Sequence, residues 1–117
     1  MTWGEVELEP EVVEWFSSLT PQERGTVAFY IDLLADRGVL LGEPYTRQLQ
    51  GKLRELRFHL DRESVRLTYW IAAHRRIVLL TVFRKRRMRE PGEIERARVA
   101  MERCVEEAHT AEDGDQG

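Results

Sequence analysis

The chain has one cysteine, three histidines and four prolines, and no apolar stretch approaching membrane-spanning length. Cys104 alone cannot form an internal disulfide, which excludes a crosslinked secreted scaffold. Its place on the apolar side of a helical pattern reads as a packed thiol rather than a nucleophile, in keeping with a reducing cytosol. His59, His74 and His109 are isolated, and neither HExxH nor paired-cysteine spacing occurs, so no metal site is expected. A glycine-rich phosphate loop and a serine or cysteine in a nucleophile elbow are missing too. The longest apolar run, Ile77 to Phe83, is interrupted by Thr81 and is far too short to span a bilayer. The opening MTWGEVELEP has no basic flank leading into an apolar core, so the expected location is cytoplasmic, without membrane contact.

Charge is abundant but segregated. Residues 1–46 carry two arginines against nine acidic side chains, residues 47–103 carry sixteen Lys or Arg against seven acids, and residues from Cys104 onward carry five acids and no cation. The formal net charge of −3 hides this dipole. A one-signed middle segment concentrates ligands of opposite charge, which points to a polyanion or an acidic protein partner. Fourteen of those sixteen cations are arginine, whose planar fork suits phosphate and carboxylate.

At 117 residues, with 42% hydrophobic and 33% charged, the chain can bury one core. The expected organisation is a single domain over residues 1–109 followed by a disordered acidic tail, 110–117, too polar to pack. Trp3, Glu5 and Glu7 alternate with Val6 and Leu8 as a short strand ended by Pro10. Val12, Val13, Phe16 and Leu19 mark a first helix. Thr20-Pro21-Gln22-Glu23 then combines an N-cap hydroxyl, proline at the first helical position and glutamate three residues on, a capping box that opens a second helix closed by Gly38. Residues 39–51 show little periodicity and read as a surface connection. Leu56, Phe58 and Leu60, then Val65, Leu67, Tyr69 and Ile71, alternate with polar residues as two strands, and Ile77 to Phe83 forms a third, apolar on both faces. Ile94, Ala97, Met101, Cys104 and Val105 line one side of a last helix. The predicted fold is α+β: an antiparallel sheet of about four strands, two N-terminal helices and one C-terminal helix, in the order β-α-α-β-β-β-α.

Strand alternation sets Arg57 and Arg66 off the apolar faces of consecutive strands, beside the exit of the third strand at Arg84, Lys85, Arg86, Arg87 and Arg89. Three strands would then converge on one anion. Fixed cations around a scissile phosphate suit ribonuclease chemistry, in which a 2′-hydroxyl attacks the neighbouring phosphorus and developing negative charge is stabilised. The proton-transfer group stays open among Lys85, His59 and Tyr69. Trp70 lies off the apolar face, able to stack on a base or to pack under a helix.

Several segments, GKLRELRF at 51–58, RLTY at 66–69, IVLLTVF running into Arg84 and Lys85, and then Pro91, Glu93, Ile94 and Ala97, resemble the RelE/ParE superfamily of toxins from type II toxin-antitoxin systems. The HigB-like, phage Gp49-related branch is the most similar. That resemblance implies a RelE-like fold and a ribosome-dependent mRNA endoribonuclease that blocks translation without metal or cofactor. It further implies two partners, a cognate antitoxin of helix-turn-helix type and mRNA on the ribosome. Arg57, Arg66 and Lys85 match the family's catalytic positions, and Arg54, His59, Arg84, Arg86 and Arg87 fall where RNA would be held. ParE-like members share the fold yet inhibit DNA gyrase, which leaves a non-catalytic binder as the alternative. One departure is the single residue, Gly92, between Pro91 and Glu93, where family members often have two.

Overall fold

The computed structural model describes residues 2–115, with side chains described as far as Glu107. Strand β1 (Glu5–Leu8), helix α1 (Pro10–Ser18) and helix α2 (Pro21–Arg37) lead through a 3-10 turn at Gly38–Leu40 to β2 (Thr46–Gln50). Then follow β3 (Leu53–Leu60), β4 (Glu63–Ala72), β5 (Arg76–Arg84) and α3 (Pro91–Asp115). The five strands form one sheet in the order β1-β5-β4-β3-β2, antiparallel except that β1 runs parallel to β5.

The α+β class and the helix positions agree with the sequence reading, whereas the sheet has one strand more than expected. The addition is β2, inside the stretch taken for a connection. Its sequence TRQLQ has a single apolar side chain, Leu49, because it is an edge strand with most of its residues exposed. Pairing to β3 and the buried Thr46 hydroxyl hold it, not an apolar stripe. At the other end of the chain α3 runs to Asp115, so the tail expected from residue 110 starts within this helix. The side chains of that tail, and residues 116–117 altogether, lie outside the described residues.

Local chemistry sets the element boundaries. Thr20 Oγ1 accepts the Glu23 N–H at 3.1 Å while Glu23 Oε1 accepts the Thr20 N–H at 2.9 Å, completing the capping box. Gly38 closes α2 at φ +50°, and a Cβ there would come within 2.1 Å of the Trp3 ring. Glycine is required twice over, for backbone and for space. The N–H groups of Trp3 and Gly4 donate to the Ala35 carbonyl at 2.9 and 3.1 Å, which fastens the start of the chain to the end of α2.

Each sheet face meets different helices. Leu56, Phe58, Leu60, Val65, Leu67, Tyr69, Ile77 and Leu79 pack against Val12, Val27 and Leu34 of α1 and α2 in the main core. On the opposite face Leu53, Trp70, Val78 and Leu80 pack under Ala97, Ile94, Met101 and Cys104 of α3. Trp70 is therefore core. Further along that same face the inward positions turn polar, with Glu55, Thr68 and Thr81 and then Arg57 and Arg66.

A bulge in β5 decides what reaches that polar end. Tyr69 pairs with Leu79 but Thr68 pairs with Thr81, so one extra residue, Leu80, enters β5. Because side chains alternate with period two, the insertion reverses every later position. Phe83 and Lys85 turn toward the polar face, and Val82 and Arg84 turn away. The Thr68 and Thr81 hydroxyls meet at 2.5 Å, which keeps the bulged segment satisfied inside the sheet.

Candidate functional site

Arg57 and Arg66 face each other directly across β3 and β4. Directly opposed side chains lie only about 5 Å apart at Cβ, so two guanidinium groups share one patch. Between them sits Glu55, two residues before Arg57 on the same strand face, with Oε2 at 3.5 Å from Nε of both arginines. These are ion pairs and not hydrogen bonds: both Nε atoms are buried and lack a hydrogen-bond partner. Arg66 is only 6% exposed and Glu55 likewise 6%, while the Arg57 side chain keeps 25% of its surface open. Burial pushes the Arg66 guanidinium below its ordinary value, Glu55 opposes that shift, and Arg57 adds to it. Arg66 also donates to the Val65 carbonyl at 3.1 Å, which fixes its plane. The triad thus has one spare positive charge, carried on the more accessible Arg57.

The neighbouring row holds His59 opposite Ser64, with His59 Nε2 at 3.2 Å from Ser64 Oγ. Lys85 extends the β4–β5 pairing by donating its N–H to the Ser64 carbonyl at 2.8 Å. Its side chain lines the groove described next. Arg57, Arg66, His59 and Lys85 are therefore gathered on one face of the sheet, and the bulge is what brings Lys85 there.

Three other residues read as site candidates, Arg54, Tyr69 and Arg84, go elsewhere. Arg54 lies on the opposite face, where it donates to the Tyr69 hydroxyl at 3.3 Å and the Thr46 hydroxyl at 3.1 Å. It braces β2 against the core. Tyr69 is itself buried there, which removes it as a proton donor to an anion at Arg57. Arg84 pairs with Glu63 on the opposite face of the sheet. Arg86 and Arg87 have exposed side chains, and their backbone N–H groups donate to Glu90 Oε1 at 2.9 and 2.8 Å. Those two bonds hold the Glu90 carboxyl below its usual range and tie the basic loop into a closed turn.

Two recesses flank the triad. One, of about 430 Å³, has Glu55 on its wall together with Arg47, Phe83, Lys85, Arg89 and Ile94. The other, of about 340 Å³, has Arg57, Arg66, His59 and Tyr45 along the edge of β3 beyond the end of β2. Sequence reading did not assign Glu55, Arg47, Phe83 or Tyr45 to the site. The Glu55-Arg57 spacing was a usable signal, since residues two apart on a strand share a face; Arg47 and Tyr45 were hidden with β2. Among the described residues no cluster of three or more His, Cys, Asp or Glu is arranged to hold a metal, and no helix is long and apolar enough to cross a membrane.

Fold and sheet face together describe a small α+β protein whose open sheet surface gathers cations around a buried carboxylate. Within that class, the model of the phage-derived Gp49-like protein family matches residues 14–102, and the chain belongs to that family, which falls in the toxin-like group related to RelE. No curated protein matches the chain.

Proposed function

We propose that the chain is the toxin of a bacterial type II toxin-antitoxin pair, of the HigB-like branch, and that it is a metal-independent, ribosome-dependent mRNA endoribonuclease acting in the cytoplasm. The observation that carries this reading is the juxtaposition of Arg57 with Arg66, His59 and Lys85 on one face. Arg57 holds a non-bridging oxygen of the scissile phosphate, and Lys85 approaches from the other strand. Arg66 is too enclosed to reach far and acts by fixing Arg57 and Glu55.

The 2′-hydroxyl attacks its own phosphorus, the P–O bond to the next nucleoside breaks, and a 2′,3′-cyclic phosphate and a 5′-hydroxyl remain. In this reading His59, close to Ser64 and exposed, takes the 2′-hydroxyl proton, and a proton passes to the 5′-oxygen as it leaves. Charge stabilisation of this kind is typically worth about 10²–10³ in rate for each donor removed. The acidic or amphipathic segment of a helix-turn-helix antitoxin would silence the protein by covering the same cations.

Sequencing of transcript 5′ ends after induction tests the reading. New 5′-hydroxyl ends inside translated frames, lost in Arg57→Ala, are expected. DNA damage with intact transcripts would instead assign the gyrase-inhibitor activity, and the nuclease reading would fall.

A further inference from the structure

We infer that the groove beside the triad is a nucleobase subsite selective for guanine; this rests on the nucleic-acid reading of the site above. Its frame is the cross-strand pair Arg47 and Glu55, directly opposed on β2 and β3 and both lining the groove. An arginine fork next to a carboxylate offers donors and an acceptor side by side. Guanine is the base whose edges complement that order: O6 and N7 accept from arginine, while N1–H and the N2 amino group donate to a carboxylate. Adenine carries an amino donor at position 6 where guanine carries its oxygen, so the arginine would face a donor. Uracil lacks the amino group.

The carboxylate, though largely buried, lines the groove and has hydrogen-bonding capacity left. Glu55 meets Arg57 and Arg66 through Oε2 at 3.5 Å each, and it accepts no hydrogen bond among the described residues. Arg47 is exposed and makes no ion pair among the described residues. A stacking surface stands alongside: Phe83, half-buried, is turned to this face by the bulge, and Ile94 and Pro91 supply apolar wall. A ring system slid against Phe83 would lose water from both faces. Lys85 and Arg89 stand on the same wall, where the phosphates flanking a bound nucleotide can be met. Glu55 links the two halves of the site, since the carboxylate that would read the base also positions the arginine that would hold the phosphate.

The test is a titration of the full-length, ¹⁵N-labelled chain with guanosine, inosine, adenosine and cytidine 3′-monophosphates up to millimolar concentration. Guanylate is expected to bind about tenfold tighter than adenylate, with inosine, which lacks the N2 amino group, in between. Amide shifts should fall on Arg47, Glu55 and Phe83. In Arg47→Ala, an edge change that leaves the core untouched, the guanine preference should disappear while residual phosphate binding remains. Equal binding of guanylate and adenylate, no binding at all, or a preference that survives Arg47→Ala overturns the subsite. The nuclease reading is judged separately: guanine selectivity with uncut transcripts sinks that reading and leaves the subsite standing, and cut transcripts with no base preference do the reverse.

Discussion

Glu11 and Arg96 meet over the edge of β5 that β1 leaves open. β1 pairs no further than Leu8 with Leu79, so the Val82 backbone has no strand partner on that side. Glu11 Oε2 accepts the Val82 N–H at 3.0 Å, Arg96 donates to the Val82 carbonyl at 3.1 Å, and the two side chains pair with each other. One residue from α1 and one from α3 thereby continue the ladder by side chain, just past the bulge that aims Phe83 and Lys85.

Removing either partner should cost stability. Arg96→Ala is expected to lower the unfolding free energy by about 1–2 kcal/mol, the range for charged hydrogen bonds at a partly exposed site. Urea unfolding of both single variants and the double variant measures the coupling. Strictly additive losses would show that Glu11 and Arg96 act independently.

Arg54 gives a second stability prediction with no functional counterpart. Its hydrogen bonds to Tyr69 and Thr46 lie between β2 and the main core, and Thr46 in turn donates to the Leu41 carbonyl at 2.6 Å. Arg54→Ala should therefore cost about 1–3 kcal/mol by leaving buried hydroxyls short of partners. If Arg57 binds phosphate as proposed, that binding, read by amide shifts below the unfolding transition, should be unchanged.

Much of this arrangement is readable from residue order alone. The alternation of Leu56, Phe58 and Leu60 against Arg57 and His59 assigns both faces of β3, and the same rule already sets Arg54 and Tyr69 apart from Arg57. Thr20 and Glu23 announce the start of α2. What escapes the sequence has physical causes. β2 is held by an edge ladder and by Thr46, neither of which leaves a hydrophobic period. The Leu80 bulge lies inside a run that is apolar on both faces, so a one-residue slip changes no pattern, yet it exchanges Arg84 for Lys85 at the site. The charge cluster from Arg84 to Arg89 is contiguous in sequence and divided in space.

Glu55 is expected to be required for folding as well as for the site. Glu55→Gln leaves Arg57 and Arg66 opposed without counter-charge, and breaking a buried pair typically costs about 3–5 kcal/mol. Partial exposure of Arg57 places the expected loss at the lower end. Added phosphate should restore more stability to this variant than to the parent protein, because a bound anion can replace the lost counter-charge. Equal salt effects on both proteins would mean that the arginines do not share an anion.

The basic loop should respond to acid through Glu90. Its carboxyl is held below the ordinary value of 4.5 by the Arg86 and Arg87 N–H groups. A depressed carboxyl contributes its stabilisation above the unfolded value and loses it as pH falls through the lower folded value. The loop therefore stays closed at neutral pH and opens only as pH falls below the ordinary carboxylate range. Amide shifts of Arg86 and Arg87 should titrate together with a midpoint below that range. In Glu90→Ala they should take the open-loop position at every pH, and a midpoint above 4.5 would contradict the bonding seen here.

The sharpest functional prediction separates neighbours in sequence. Arg84 and Lys85 are adjacent, but the bulge sends Arg84 to Glu63 and Lys85 to the face that carries Arg57. If that face cleaves RNA, Lys85→Ala and Arg57→Ala should each reduce cleavage by about 10²–10³, the usual effect of removing one charge-stabilising donor. Arg84→Ala should retain nearly full activity, since it removes an exposed ion pair on the other face. Growth arrest after induction, scored beside transcript integrity and a thermal melt to confirm folding, distinguishes the three. Loss of activity in Arg84→Ala equal to that in Lys85→Ala would show that the loop acts as an undifferentiated cationic patch, and the role assigned to the bulge would be wrong.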